Sequence, residues 1–98
     1  MSNSVGLLVT LEAKPEKSGE LADFLQSARN LVVAEPDTST WYAFQISADR
    51  FGIYDTFPGE DGRRAHLAGS VARALGTKAG ELLATPPVIQ PVAVLASK

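Results

Sequence analysis

Residues 38–57 read TSTWYAFQISADRFGIYDTF. Thr38 to Ser47 and Phe51 to Phe57 are rich in β-branched and aromatic residues, and Ala48-Asp49 lies between them. That pattern predicts two strands joined by a tight hairpin. If Ser47 pairs with Arg50, then Tyr42, Phe44, Ile46, Phe51, Ile53, Asp55 and Phe57 share one face. Trp41, Ala43, Gln45, Tyr54 and Thr56 share the other, because side chains alternate along a strand. The first face reads as the one turned to a core. The second still carries Trp41 and Tyr54, and Leu8, Ile89 and Leu95 could join it from the outer strands. An apolar patch of that size on a small domain marks an interface, so a symmetric homodimer through the face carrying Trp41 and Tyr54 is expected.

Upstream of the hairpin, Val5 to Glu12 alternates Val5, Leu7, Val9 and Leu11 against Gly6, Leu8, Thr10 and Glu12, which predicts a strand. Lys14-Pro15-Glu16 then suits a helix entrance. Leu21, Phe24, Leu25, Ala28, Leu31 and Val32 recur at helical spacing, and Glu35-Pro36-Asp37 ends that helix. Downstream, Pro58-Gly59-Glu60-Asp61 is a turn into a short helix carrying Arg63, Arg64 and His66. Gly69-Ser70 interrupts it, and Ser70 can cap a further helix with Val71, Ala74, Leu75, Ala79, Leu82 and Leu83 on its apolar side. Thr85-Pro86-Pro87 stops that helix, and Val88 to Ala96 makes a last strand. Pro91 suits an edge position, where a missing donor is tolerable. The order strand, helix, strand, strand, helix, strand is the split βαβ of an α+β, ferredoxin-like sandwich, with residues 1–98 as a single domain.

Composition narrows the function classes. Nine Lys plus Arg against eleven Asp plus Glu gives a net charge of −2, so no basic surplus exists to attract nucleic acid. With no cysteine, disulfides, thiol nucleophiles and cysteine-held metals are excluded, and one histidine is too few for a histidine metal cluster. No Gly-rich phosphate cradle follows the first strand and no Gly-x-Ser-x-Gly elbow is present. The N-terminal residues lack a signal-peptide pattern, and Leu82 to Ser97 is too short and proline-broken to span a bilayer. The expectation is a cytoplasmic protein with no membrane or nucleic-acid partner.

Chemistry concentrates at two residues. His66 is the one side chain whose ordinary pKa lies near neutrality. Asp55 interrupts an apolar strand face, where a carboxylate is expensive unless paired. An Asp55–His66 pair opening on an aromatic-walled pocket could take a proton from a bound phenol. The alternative is that Asp55 caps a helix or pairs with Arg63, which leaves His66 a packing residue.

Thr40 to Phe44, Phe51 to Phe57 and Gly62-Arg63-Arg64-Ala65-His66-Leu67 together resemble the antibiotic biosynthesis monooxygenase family, and the likeness runs from Val5 to Leu95. It implies a dimeric α/β barrel with a cavity between sheet and helices in each protomer. It also implies cofactor-independent oxidation of a hydroquinone or polycyclic phenol by O₂, the substrate supplying the electrons once deprotonated. On that resemblance His66 is the base, Asp55 its orienting partner, and Tyr42, Phe44, Phe51 and Ile53 line the substrate pocket, with no metal or other cofactor. A non-oxidative isomerase and a dimeric small-ligand-binding domain are the other expectations for the same fold.

Overall fold

Alternation of apolar and polar residues places Leu7, Val9 and Leu11 of the first strand on one sheet face, where they are buried. A computed structural model describes residues 3–98. The elements in chain order are β1 (Val5–Glu12), α1 (Ser18–Val32), β2 (Thr40–Gln45), β3 (Arg50–Phe57), α2 (Glu60–Leu67), α3 (Ser70–Leu82) and β4 (Val88–Ala93). The strands form one antiparallel sheet of order β2-β3-β1-β4, the ferredoxin-like arrangement expected, with its second helical region broken in two. Pro91 lies on β4 at the sheet edge, opposite Leu7. Gly69, rather than Ser70, stands at the N-cap of α3 and no side chain caps it.

Val9, Leu11, Phe51 and Ile53 on the inner face pack with Leu21 and Leu25 of α1 and Leu75 and Leu82 of α3. Ala28 and Val32 of α1 meet Val71 of α3 in a second apolar cluster. The helices therefore cover one face of the sheet and leave the other open.

The hairpin register differs from the expectation by one residue. Gln45 pairs with Phe51 and Ile46 N–H donates to the Arg50 carbonyl at 2.8 Å, which puts Ile46 rather than Ser47 opposite Arg50; Ser47 N–H reaches the same carbonyl at 3.3 Å from within the turn Ser47-Ala48-Asp49. Three-residue hairpin loops are common, and lengthening the loop by one residue turns every β2 side chain to the opposite face. Trp41 now sits across from Asp55, Ala43 from Ile53 and Gln45 from Phe51, all on the helix-covered face. Tyr42 pairs with Tyr54 and Phe44 with Gly52 on the open face. Trp41 is thus removed from the expected interface and packs against both apolar clusters. Ile89 leaves that face too, since it pairs with Val9.

This placement sets a test. Trp41→Ala should cost about 3 kcal/mol in urea unfolding, the range for deleting a packed aromatic. A loss below about 0.5 kcal/mol, typical of surface positions, would return the indole to the open face.

Candidate active site

Helix α2 brings His66 to the sheet. Gly62 is one turn earlier on the same buried face, and a Cβ there would stand 2.9 Å from the Asp37 carbonyl oxygen. Only glycine allows this approach. With α2 held close, the His66 ring lies between two carboxylates. Its Nε2 is 3.0 Å from Asp55 Oδ2, and its Nδ1 is 2.6 Å from Glu35 Oε1. The Phe57 ring packs beside it, with centroids 5.4 Å apart.

Asp55 is fully buried, and its Oδ2 meets the ring nitrogen at ion-pair distance with a poorly aligned N–H. Glu35 is in the connection between α1 and β2. Its Oε1 also accepts from Thr38 Oγ1 at 2.7 Å, while its Oε2 approaches Gly69 at the start of α3, where the helix dipole favours negative charge. Arg63 does not partner Asp55. It pairs with Glu60 and donates to the Gly6 carbonyl at 3.1 Å.

Both ring nitrogens face carboxylate oxygens, and only the imidazolium has a proton to present to each. Burial lowers the His66 pKa, but the contacts and charges of Asp55 and Glu35 outweigh it and hold the pKa above the ordinary histidine value.

A cleft of about 690 Å³ opens between α1 and β2. One stripe of α1 borders it: Ala22, Leu25, Gln26, Arg29, Val32 and Val33, spaced three and four apart. Trp41, Ala43 and Phe51 border it from the sheet. Of the expected pocket residues, Phe51 stands on the inner wall. Tyr42 and Phe44 touch the cleft rim from a strand whose register aims their side chains at the open face, the physical reason being the one-residue shift. Ile53 is in the core away from the wall. His66 and Asp55 come together but do not border the cleft. Trp41, opposite Asp55, and Thr38, bonded to Glu35, are the wall residues that separate the cluster from it. Glu35 was not foreseen, because Glu35-Pro36-Asp37 reads only as a helix ending. The signal available was an acid beside a proline stop, in a chain with one histidine to satisfy.

The chain is similar to NE2512, a protein of unknown function from Nitrosomonas europaea. The TM-score is 0.95 and the identity 46%, over 97% of this chain and 92% of that one. The chain belongs to the NE2512 family. Its fold is also that of two proteins each described as a "putative antibiotic biosynthesis monooxygenase". The one from Nitrosomonas europaea gives a TM-score of 0.84 at 14% identity, over 97% of this chain and 93% of that one. The one from Caulobacter crescentus CB15 gives 0.82 at 20%, over 96% and 92%. The fold of this NE2512-family chain is therefore antibiotic biosynthesis monooxygenase-like. No family model and no curated protein matches the sequence. Among the described residues, no helix is long and apolar enough to cross a membrane.

A raised folded-state pKa gives stability that is complete below the unfolded value of about 6.5 and is lost as pH rises through the folded value. Urea midpoints for this NE2512-family protein should therefore fall as pH climbs above about 6.5, and Glu35→Gln should flatten that fall. Nitrogen NMR of the single histidine should show both ring nitrogens protonated at pH 6.5. A ring already half-neutral at that pH would exclude the doubly paired imidazolium.

Proposed function

We propose that this chain is a cofactor-independent monooxygenase that oxidises a phenolic or hydroquinone-type small molecule with O₂. The observation that carries this reading is the buried Asp55–His66–Glu35 cluster directly behind the wall of an apolar cleft. The cleft volume falls within the range of small-molecule sites and suits a fused-ring aromatic. The aromatic body lies against Leu25, Val32 and Phe51, and its hydroxyl is directed toward Trp41 and the cluster. The three coupled groups take up the hydroxyl proton as one base acting as a unit. His66 passes the proton within the cluster, and Asp55 and Glu35 orient its ring. The step needs the Trp41 indole to shift, since it closes the cluster from the cleft. The deprotonated substrate then supplies the electrons to O₂; one oxygen atom replaces the hydrogens of a ring C–H carbon to give a quinone carbonyl, and the other leaves as water.

A second reading, a small-ligand-binding domain without catalysis, draws on one observation: His66 is held at both nitrogens and does not border the cleft. The open sheet face supports a homodimer in either case. Tyr42 is 60% exposed and Phe44 39%, and they share that face with Tyr54 and Leu8. Packing two such faces together would bury them.

Oxygen uptake by metal-stripped protein against hydroquinones and anthrols tests the first reading. Wild type should consume O₂, and His66→Gln, with unchanged circular dichroism, should lose at least about a hundredfold in rate. Substrate binding with no uptake by wild type would favour the binding domain instead. In sedimentation, Tyr42→Glu should weaken the dimer at least about thirtyfold, the effect of burying an unpaired charge for about 2 kcal/mol or more. An unaltered dimer constant would move the interface off this face.

A further inference from the structure

We propose that the ligand of the α1–β2 cleft is an aromatic molecule bearing a carboxylate, and that Arg29 selects it. This rests on the cleft being the ligand site, and it adds a charge to the substrate class. Arg29 lies in the last turn of α1, on the stripe that faces the cleft, with Leu25 and Gln26 before it and Val32 and Val33 after it. It is the one charged side chain on the wall.

Three polar side chains of the wall have protein partners, whereas among the described residues no hydrogen bond engages the side chains of Gln26 and Ser39 or the buried Trp41 Nε1. Thr38 donates to Glu35, Thr40 Oγ1 meets Thr56 Oγ1 at 2.6 Å, and Gln45 Nε2 donates to the Ser47 carbonyl. Among the described residues, no ion pair and no side-chain hydrogen bond engages Arg29. An exposed arginine at a helix C-terminus is favoured by the dipole alone, and that bland role needs no ligand. What the dipole does not explain is that the one charged residue lining this cleft has no carboxylate partner among the described residues. A guanidinium is planar, weakly hydrated and shaped for two parallel hydrogen bonds to a carboxylate, and it also stacks on aromatic faces. One cation matches one carboxylate, whereas a doubly charged phosphate would lack a second partner on this wall.

Isothermal titration calorimetry with 2-naphthoate and its neutral counterpart 2-naphthamide tests the assignment, using wild type and Arg29→Gln at low salt. Wild type should bind the acid at least about tenfold more tightly than the amide, as for a charge-assisted hydrogen bond. In Arg29→Gln the preference of acid over amide should shrink to within twofold. Equal binding of acid and amide by wild type, or a preference that survives the substitution, overturns the role of Arg29 and leaves the cleft as a ligand site. If neither compound binds, nor any neutral fused-ring aromatic added in the same cell, the cleft itself is not the site and both readings fall.

Discussion

One imidazolium between a fully buried carboxylate and a partly buried one ties together three separate parts of the chain. Asp55 belongs to the sheet, Glu35 to the connection that leaves α1, and His66 to α2. Each charge would be costly alone in this interior, and removing one partner of such a set typically costs about 3–5 kcal/mol. The neighbouring glycines follow from that arrangement. Gly62 lets α2 approach the Asp37 carbonyl, and Gly69 leaves room for Glu35 Oε2, which a Cβ would meet at 3.1 Å. The cluster also fixes the path from α1 into β2, because Thr38 hangs on the same Glu35 oxygen that pairs with His66.

Element order and the Asp55–His66 meeting were legible in the residues. An acid in an apolar strand alternation has to find a partner, and the one histidine lies a short turn and helix away. Two things were not legible. The β2–β3 register depends on whether the connection holds two residues or three, and Ser47-Ala48-Asp49 has no Asn-Gly or Asp-Gly pair to decide it. A one-residue error there exchanges Trp41 for Tyr42 and Phe44 at the open face. Glu35 was hidden for a different reason. It lies 31 residues before His66 and outside any regular element, so neither periodicity nor proximity in the chain links them.

The corrected register separates two surfaces that the earlier face assignment merged. The inner row Leu7, Asp55 and Trp41 runs from the core to the cleft wall, so the indole is in contact with both. The outer row Leu8, Tyr54 and Tyr42 faces away from the helices. A partner on the open face would therefore leave the cleft walls of α1 intact, and the cleft is built from this chain's own helix and strands.

The separation between cluster and cleft is thin, and that has a thermodynamic consequence. Glu35 reaches the wall through Thr38, and Asp55 through its cross-strand neighbour Trp41. A ligand that moves either wall residue alters the surroundings of one carboxylate, and with them the affinity of His66 for its second proton. Coupling between binding equilibria is reciprocal, so the protonation state of the cluster must in turn bias how the cleft accepts the ligand. Each ring nitrogen faces its own carboxylate, at 3.0 Å for Asp55 and 2.6 Å for Glu35, so either imidazolium proton is hard to remove. The same pairing that stabilises the fold thus opposes a simple histidine base.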